Sequence, residues 1–262
     1  MDNKSARRQF IRKASIGLGG MTFSPFVLSK GPIPISDPNN NSAKKLKIVC
    51  VGAHPGDPEF GCGGTMAKYA QAGHSVVFIY LTRGEAGDPT KSYSESAALR
   101  TKEAETACNF LHVKPVFAGQ IDGHSVFSNE KIDEIEKIIV IENPDIVFTQ
   151  WPIDGHRDHQ VTGALTLGLW AKSQRKFTLY FYEVNTGSET MHFTPTDYVD
   201  ISDVKDLKRE AMFAHKSQDP ENTYNDYFKP LETFRGLESG VKMAEAFILF
   251  KNKSDRTGLP GF

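Results

Sequence analysis

Two short stretches of the sequence combine imidazoles with carboxylates at spacings that suit a metal centre. The first, "VGAHPGDPEFGCGG" at 51–64, places His54 and Asp57 three residues apart across a prolyl turn. The second, "WPIDGHRDHQ" at 151–160, carries two acids and two histidines: Asp154, His156, Asp158 and His159. Three imidazole or carboxylate ligands with a fourth position open to water are typical of a catalytic zinc site. A metal site is therefore one hypothesis, beside a phosphate-binding loop and a plain turn.

The first stretch does not fit the pattern of a dinucleotide-binding loop. Its glycines read "GCGG" instead of G-x-G-x-x-G, and Asp57 and Glu59 precede them. A pyrophosphate binds bare backbone N–H groups at the start of a helix, and carboxylates beside those groups repel it. The two acids therefore argue against nucleotide binding.

Strands and helices alternate around the two stretches. Runs of apolar, β-forming residues predict strands at 45–53, 75–82, 114–119, 145–150, 176–184, 197–202 and 244–251. Amphipathic patterns predict helices at 65–74, 95–111, 130–143, 159–173 and 203–217. This order indicates a Rossmann-like α/β fold, a single domain with a mainly parallel sheet and helices on both faces. Ligands of such sheets bind beyond the carboxyl ends of the strands. The ligand site is therefore expected in the loops that follow three strands: 53–64, 82–94 and 151–159.

Composition excludes several classes of partner. The 262 residues carry a net charge of -1, so the chain has no basic field that would attract nucleic acid. The body of the chain contains no apolar stretch long enough to span a bilayer, so no stable membrane span is expected in the mature chain. The three cysteines do not form a CxxC pair, and core packing is the expected role of Cys50 and Cys108. The oligomeric state cannot be read from these features.

The N-terminal thirty residues are typical of an export signal. Arg7 and Arg8 are followed by a polar residue, two apolar residues and a weakly apolar segment at 14–28, an arrangement that resembles a twin-arginine signal. Residues 31–44 are rich in Pro, Asn and Ser and are expected to be a linker. We therefore expect a folded domain at 45–262 that is exported to the periplasm or cell envelope.

The two polar stretches resemble the signature motifs of the PIG-L/LmbE-type de-N-acetylases, which read A-H-P-D-D and H-x-D-H. Further segments also match in order and spacing, so the resemblance covers most of residues 46–250: "LTRGEAG" (81–87), "LRTKEAETACNFLHV" (99–113), "IDG" (121–123) and "HKSQ" (215–218). The resemblance implies a zinc-dependent amidohydrolase that removes acetyl groups from N-acetylglucosamine-containing substrates. It therefore predicts a small-molecule or glycan substrate that bears an N-acetyl group.

The resemblance also implies a role for each motif residue. By position, His54, Asp57 and His159 would hold one Zn²⁺. His156 would face the substrate and stabilise or protonate it during cleavage. Asp158 would support an imidazole from outside the ligand set.

Two further residues match positions that the family uses for substrate. Arg100 falls where the family places an arginine near the sugar, and Asp122 falls where it places a substrate-binding carboxylate. Residues in 82–94 and 185–196 are expected to line the substrate pocket. His215 is expected to have a structural role.

Gly56 departs from the family pattern, because it stands where the family has the aspartate that serves as general base. Three interpretations stay open. Another group takes over the proton, either His156 paired with Asp158 or one of the acids Glu59 and Asp154. Alternatively, the protein is a weakly catalytic or non-catalytic zinc- and carbohydrate-binding member of the family. The third interpretation is hydrolysis of a different amide or ester. The retained metal ligands and the His–Asp pair favour the first interpretation.

Overall fold

The computed structural model of the chain describes residues 44–174 and 176–250. The expected export signal at 1–30, residues 31–43 of the expected linker and the last twelve residues of the expected domain lie outside these ranges. Within the described residues, no helix combines the length and the apolar character needed to cross a bilayer.

Seven strands form one mixed sheet. They are β1 (Lys47–Gly52), β2 (Ser75–Tyr80), β3 (Lys114–Phe117), β4 (Ile146–Gln150), β5 (Thr178–Tyr182), β6 (Asp197–Asp200) and β7 (Ala244–Phe250). Their spatial order is β3-β2-β1-β4-β5-β7-β6. Strands β1 to β5 run parallel, whereas β7 is antiparallel to both of its neighbours. The predicted mainly parallel α/β sheet is confirmed.

Helices cover both faces of this sheet. They are α1 (Asp57–Gln71), α2 (Tyr93–Leu111), α3 (Asn129–Glu142), α4 (Arg157–Lys172), α5 (Lys205–Phe213), α6 (Pro220–Thr223) and α7 (Lys229–Ser239). Because successive residues of a strand face opposite sides of the sheet, side chains of β1 pack in two hydrophobic cores, one on each face. Ile48 and Cys50 pack in the core beneath α1, α2 and α5, and Val49 and Val51 pack in the core beneath α3 and α4.

Helix α1 begins eight residues earlier than the sequence predicts, at Asp57 instead of residue 65. The prediction treated 57–64 as a loop because glycine and proline disfavour helices. Proline is, however, tolerated in the first turn, where Pro58 lies. The glycines permit close packing on the sheet: a Cβ on Gly61 would lie 2.3 Å from Cδ2 of Tyr182. The helix is also kinked at Cys62, whose φ is -147°.

The segment between α5 and β7 is mostly helical, although the sequence predicts no element between residues 217 and 244. A 3₁₀ turn at Lys216–Gln218 leads into α6, a π-helical turn at Tyr224–Phe228 and α7. Pro220 and Pro230 suggest breaks in the sequence, but both lie at the start of a helix. A proline there costs no hydrogen bond, which explains the missed helices.

The site forms where the sheet changes its winding direction. β1 and β4 are neighbours at the centre of the sheet, yet the helices that follow them, α1 and α4, pack on opposite faces. The backbone N–H of Ala53 donates to Oε1 of Gln150 at 2.8 Å, which joins the carboxyl ends of the two strands. A crevice opens at such a switch point, and both polar stretches enter it.

A buried ionic cluster fixes α1 against the sheet. Nζ of Lys208 lies 2.7 Å from a carboxylate oxygen of Glu232 and 2.7 Å from one of Glu245. Glu245 also accepts the backbone N–H groups of Gly64 and Thr65, at 2.9 and 2.7 Å. Burial alone would lower the pKa of Lys208, but the two glutamates raise it above its ordinary value. The ammonium therefore stays charged and contacts both acids in the core.

Replacing Lys208 by methionine should destabilise the fold strongly. The variant leaves two carboxylates buried without a cation, so the free energy of unfolding should fall by about 3–5 kcal/mol. Urea denaturation followed by circular dichroism measures this change. The control is Lys205→Met, which removes a lysine paired with Asp206 on the surface and should leave the midpoint unchanged. Equal midpoints for the two variants would contradict this account.

Candidate active site

Asp57 joins the two polar stretches. Its Oδ2 lies 3.3 Å from Nδ1 of His54 and 3.5 Å from Nε2 of His159. The same oxygen accepts the backbone N–H of His54 at 2.7 Å, which closes the turn before α1. The structure therefore brings together the three residues that the sequence assigns to the metal.

Carboxylates hold the outer nitrogens of both imidazoles. Nε2 of His54 lies 3.1 Å from Oδ1 of Asp122 and 3.2 Å from Oδ2 of Asp158. Nδ1 of His159 lies 3.2 Å from Oδ1 of Asp154. A carboxylate on the far nitrogen fixes the orientation of a metal-binding imidazole and increases its basicity. Asp158 thus lies where its expected supporting role requires.

Asp122 contacts His54, although the sequence assigns it to the substrate. Its Oδ2 accepts the backbone N–H of Ala86 at 3.1 Å, and its own backbone N–H donates to Oε2 of Glu85. The loops after β2 and β3 therefore hold the carboxylate against the imidazole. The sequence prediction missed Glu85, which has no motif of its own beyond its place in "LTRGEAG".

Arg100 lies beneath the first loop. Its NH2 donates to the carbonyl oxygen of Pro55 at 2.8 Å, and the side chain is buried against Gly84 and Gly87. A Cβ on Gly84 would lie 2.3 Å from NH1 of Arg100, so only glycine fits over the guanidinium. The contact with Pro55 shows that Arg100 supports the main chain of the loop that carries His54.

Glu59 does not join the cluster. It is fully buried, accepts the hydroxyl of Tyr80 at 2.7 Å and lies 3.0 Å from Nε2 of His215. Glu59 lies two residues after Asp57 in the first turn of α1. Side chains two positions apart point in different directions from a helix. The predicted proton-transfer role of Glu59 therefore has no geometric support, whereas the expected structural role of His215 agrees with its burial.

The charges in this cluster shift its pKa values strongly. Burial alone would lower the pKa of His54, but Asp57, Asp122 and Asp158 raise it well above its ordinary value. Burial likewise opposes the charged form of His159, yet Asp57 and Asp154 raise its pKa to about 9. Without a cation, the buried acids thus hold protons on both imidazoles.

This donor set suits a divalent cation. Donor atoms of His54, His156 and His159 lie within 4.8 Å of one another, and so do those of His54, Asp122 and Asp158. Asp57, which belongs to neither group, bridges His54 and His159. Nitrogen and carboxylate ligands with oriented imidazoles are typical of zinc sites. A bound cation would also replace the protons that the acids now hold on the imidazoles.

His156 is set as a hydrogen-bond donor. It caps the N-terminus of α4, where its Nδ1 accepts the backbone N–H of Asp158 at 3.2 Å. Burial, together with the neighbouring His54 and His159, lowers the pKa of His156. A neutral imidazole whose Nδ1 accepts a hydrogen bond carries its proton on Nε2. His156 therefore offers an N–H group.

The backbone at Gly56 has a conformation that suits glycine. Its φ is +111°, which side-chain-bearing residues rarely adopt, and a Cβ there would lie 3.2 Å from Cε2 of Phe60. An aspartate at this position would have to change the turn that presents His54 and Asp57. The missing carboxylate and the shape of the loop are therefore linked.

The loop after β5 also borders the cluster, and the sequence prediction named no individual residue of it. Oε2 of Glu189 lies 3.9 Å from Nδ1 of His159, and burial raises the pKa of this carboxyl. Glu189 falls within 185–196, which was expected to line the substrate pocket, but no motif marks it. Only the folded chain places it beside His159.

The arrangement defines an α/β protein with a polar cluster, suited to a divalent cation, at the switch point of its sheet. The family model described as "PIG-L: GlcNAc-PI de-N-acetylase" matches residues 49–170. Diacetylchitobiose deacetylase of Thermococcus kodakarensis is 31% identical over 236 residues, which cover 84% of this chain and 87% of the relative. The chain therefore belongs to the PIG-L family and is a hydrolase of the de-N-acetylase class.

Solved structures agree with this assignment. N,N'-diacetylchitobiose deacetylase from Pyrococcus horikoshii superposes with a TM-score of 0.71 at 29% identity, covering 82% of this chain and 87% of that one. The 4-carboxy-2-hydroxymuconate hydratase from Pseudomonas putida superposes with a TM-score of 0.72 at 18% identity, covering 81% and 99%. The second likeness shows the fold alone, so the reaction has to be argued from the site.

The metal-free protein should lose stability as pH rises. The pKa of His159 is about 9 in the fold against an ordinary 6.5, so its stabilising contribution is complete below pH 6.5 and disappears as pH rises through 9. The loss should approach about 3 kcal/mol. Urea unfolding in a chelator at pH 6.0, 7.5 and 9.5 measures it.

Two variants separate the contribution of His159 to the pH dependence of stability from the contributions of other groups. His159→Gln should reduce the dependence on pH to the part that His54 contributes, whereas His192→Gln, which alters an exposed histidine, should keep it in full. An unchanged slope in His159→Gln would show that other groups govern the dependence.

Proposed function

We propose that the protein hydrolyses the N-acetyl group of a substrate that contains an amino sugar, and that it does so with one zinc ion. His54, Asp57 and His159 would hold the ion. The observation that carries the proposal is that His54 and His159 contact carboxylates on both of their ring nitrogens. Each of the two imidazoles presents one nitrogen to Asp57, and carboxylates hold its other nitrogen. Such oriented imidazoles are what a catalytic metal site requires.

Bound zinc would polarise the amide carbonyl and lower the pKa of a water molecule that attacks it. The remaining chemistry belongs to side chains. Nε2–H of His156 is available to donate to the carbonyl oxygen, which becomes negatively charged when the carbonyl carbon turns tetrahedral. Since this proton is already in place and the ring is held by its Nδ1, no reorientation is needed during the reaction.

The substrate class follows from the relatives. Two relatives that match over 84% and 65% of this chain are named diacetylchitobiose deacetylase and probable N-acetyl-α-D-glucosaminyl L-malate deacetylase 2. The cluster lies beyond the carboxyl ends of β1 and β4, where ligands of such sheets bind. An exported location, which the N-terminal sequence supports, would supply N-acetylated glycans of the cell envelope or of the surroundings.

Asp57→Asn should abolish both metal binding and hydrolysis. It weakens the carboxylate that contacts both imidazoles, so zinc content should fall from about one ion per chain to well below that value. Atomic emission of the purified protein measures zinc, and acetate release from N,N'-diacetylchitobiose measures activity. Asp133→Asn, which alters an exposed acid on α3, is the control. Full zinc content and activity in Asp57→Asn would overturn the proposed site, and no acetate release by the zinc-loaded wild type would overturn the function.

His156→Ala should separate chemistry from metal binding. Loss of one donor to a developing oxyanion costs about 10²–10³-fold in kcat, while the zinc content should stay at the wild-type level. Steady-state kinetics and metal analysis of the same preparation test both statements. The control is His124→Ala, an exposed histidine two residues after Asp122. A kcat equal to that of the wild type would remove His156 from the reaction.

A further inference from the structure

Hydrolysis of an amide needs a group that accepts a proton from the attacking water, and Gly56 cannot supply one. The buried acids of the cluster already accept hydrogen bonds from other protein groups. Asp154 accepts the backbone N–H of His156 and the hydroxyl of Thr190, both at 2.8 Å. Asp158 accepts the backbone N–H of Gly123 at 2.7 Å. Both carboxylates are also closed off, with side-chain exposures of 1% and 0%.

His156 does not fill the gap either. Its Nδ1 already accepts the N–H of Asp158, so the nitrogen that remains, Nε2, carries a hydrogen. A nitrogen in that state donates a hydrogen bond and has no lone pair with which to receive a proton. The pairing that the sequence suggests between His156 and Asp158 is therefore a main-chain contact that fixes His156 as a donor.

Glu189 differs from every other acid that contacts the cluster in the described part of the chain. Its side chain is 31% exposed, against 12% for Asp57 and 9% for Asp122. Its Oε2 lies 3.9 Å from Nδ1 of His159, the nitrogen that also faces Asp154, so Glu189 borders this imidazole without a direct hydrogen bond to it. The carboxylate thus meets both the cluster and the solvent from which water and substrate arrive.

The main chain holds Glu189 in this place. The N–H of Gly155 donates to the carbonyl oxygen of Glu189 at 2.9 Å, and the N–H of Met191 donates to Ile153 at 3.0 Å. Nδ2 of Asn185 donates to Oε2 of Glu189 at 3.0 Å. The loop that carries Glu189 is therefore bonded to the loop that carries His156, and a carboxylate held in this way is pre-organised for one role.

We propose that Glu189 supplies the proton-accepting carboxylate that the Gly56 position lacks. This inference rests on the proposed function. As the oxygen of the attacking water forms its bond to the carbonyl carbon, one O–H bond of the water breaks and the proton passes to Glu189. When the C–N bond breaks, that proton passes to the departing nitrogen, and the free amine leaves with acetic acid, which keeps the second proton of the water. The carboxylate is regenerated, and no further reactant is required.

Replacing Glu189 by alanine and adding formate tests this role. Glu189→Ala should lower kcat for diacetylchitobiose by about 10²–10⁴-fold with little change in KM. Formate, a carboxylate small enough to enter the vacated space, should restore part of the lost rate in proportion to its concentration. Glu189→Gln keeps the volume of the side chain, so it should lose the same activity but gain nothing from formate. Zinc content and the unfolding midpoint should match the wild type in both variants.

Glu221→Ala, which alters an exposed glutamate in α6, is the matched control and should retain wild-type kinetics with or without formate. If Glu189→Ala retains the wild-type kcat, or loses activity that formate does not restore, the proposed role of Glu189 is overturned while the deacetylase function stands. If the zinc-loaded wild type releases no acetate, the proposed function fails first and the role of Glu189 fails with it.

Discussion

The carboxylate of Asp57, placed between two imidazoles, is the contact on which the rest of the site depends. One oxygen closes the turn after β1 and also faces His54 and His159, which come from loops about a hundred residues apart in the chain. Such a placement requires β1 and β4 to be neighbours and their helices to leave on opposite faces. It also requires α1 to begin at Asp57. The topology of the sheet and the packing of α1 therefore together determine the position of Oδ2 of Asp57.

Sequence reasoning found the parts of this arrangement that obey strong local rules. Apolar runs located the seven strands, and the switch-point rule correctly joined the loop of His54 to that of His159. It failed where local propensity was overruled by packing. The glycines of α1 favour a loop by propensity, but contact with Tyr182 requires them within a helix. Sequence reasoning also assigned no element between residues 217 and 244, where Pro220 and Pro230 lie in the first turns of two helices.

Roles of individual side chains were harder to predict, because a role depends on which partner a side chain meets. Glu59 lies two residues from Asp57, yet it turns to Tyr80 and His215 beneath the sheet. Asp122 was expected to bind substrate, and the structure places its carboxylate against His54. Glu189 lies in a segment without a motif, and its position depends on backbone hydrogen bonds to residues 153–155. Sequence spacing carries no information about such pairings across the fold.

The position of β7 has a consequence for synthesis of the protein. This strand is the last in the part of the chain that the structure describes, yet it pairs between β5 and β6, so neither of those strands is paired on that side until residue 250 has left the ribosome. The five parallel strands can assemble earlier and will present β5 as an open edge during that interval. Exposed edges invite pairing with other chains. The nascent polypeptide is thus most vulnerable to aggregation in the seconds before its final strand inserts.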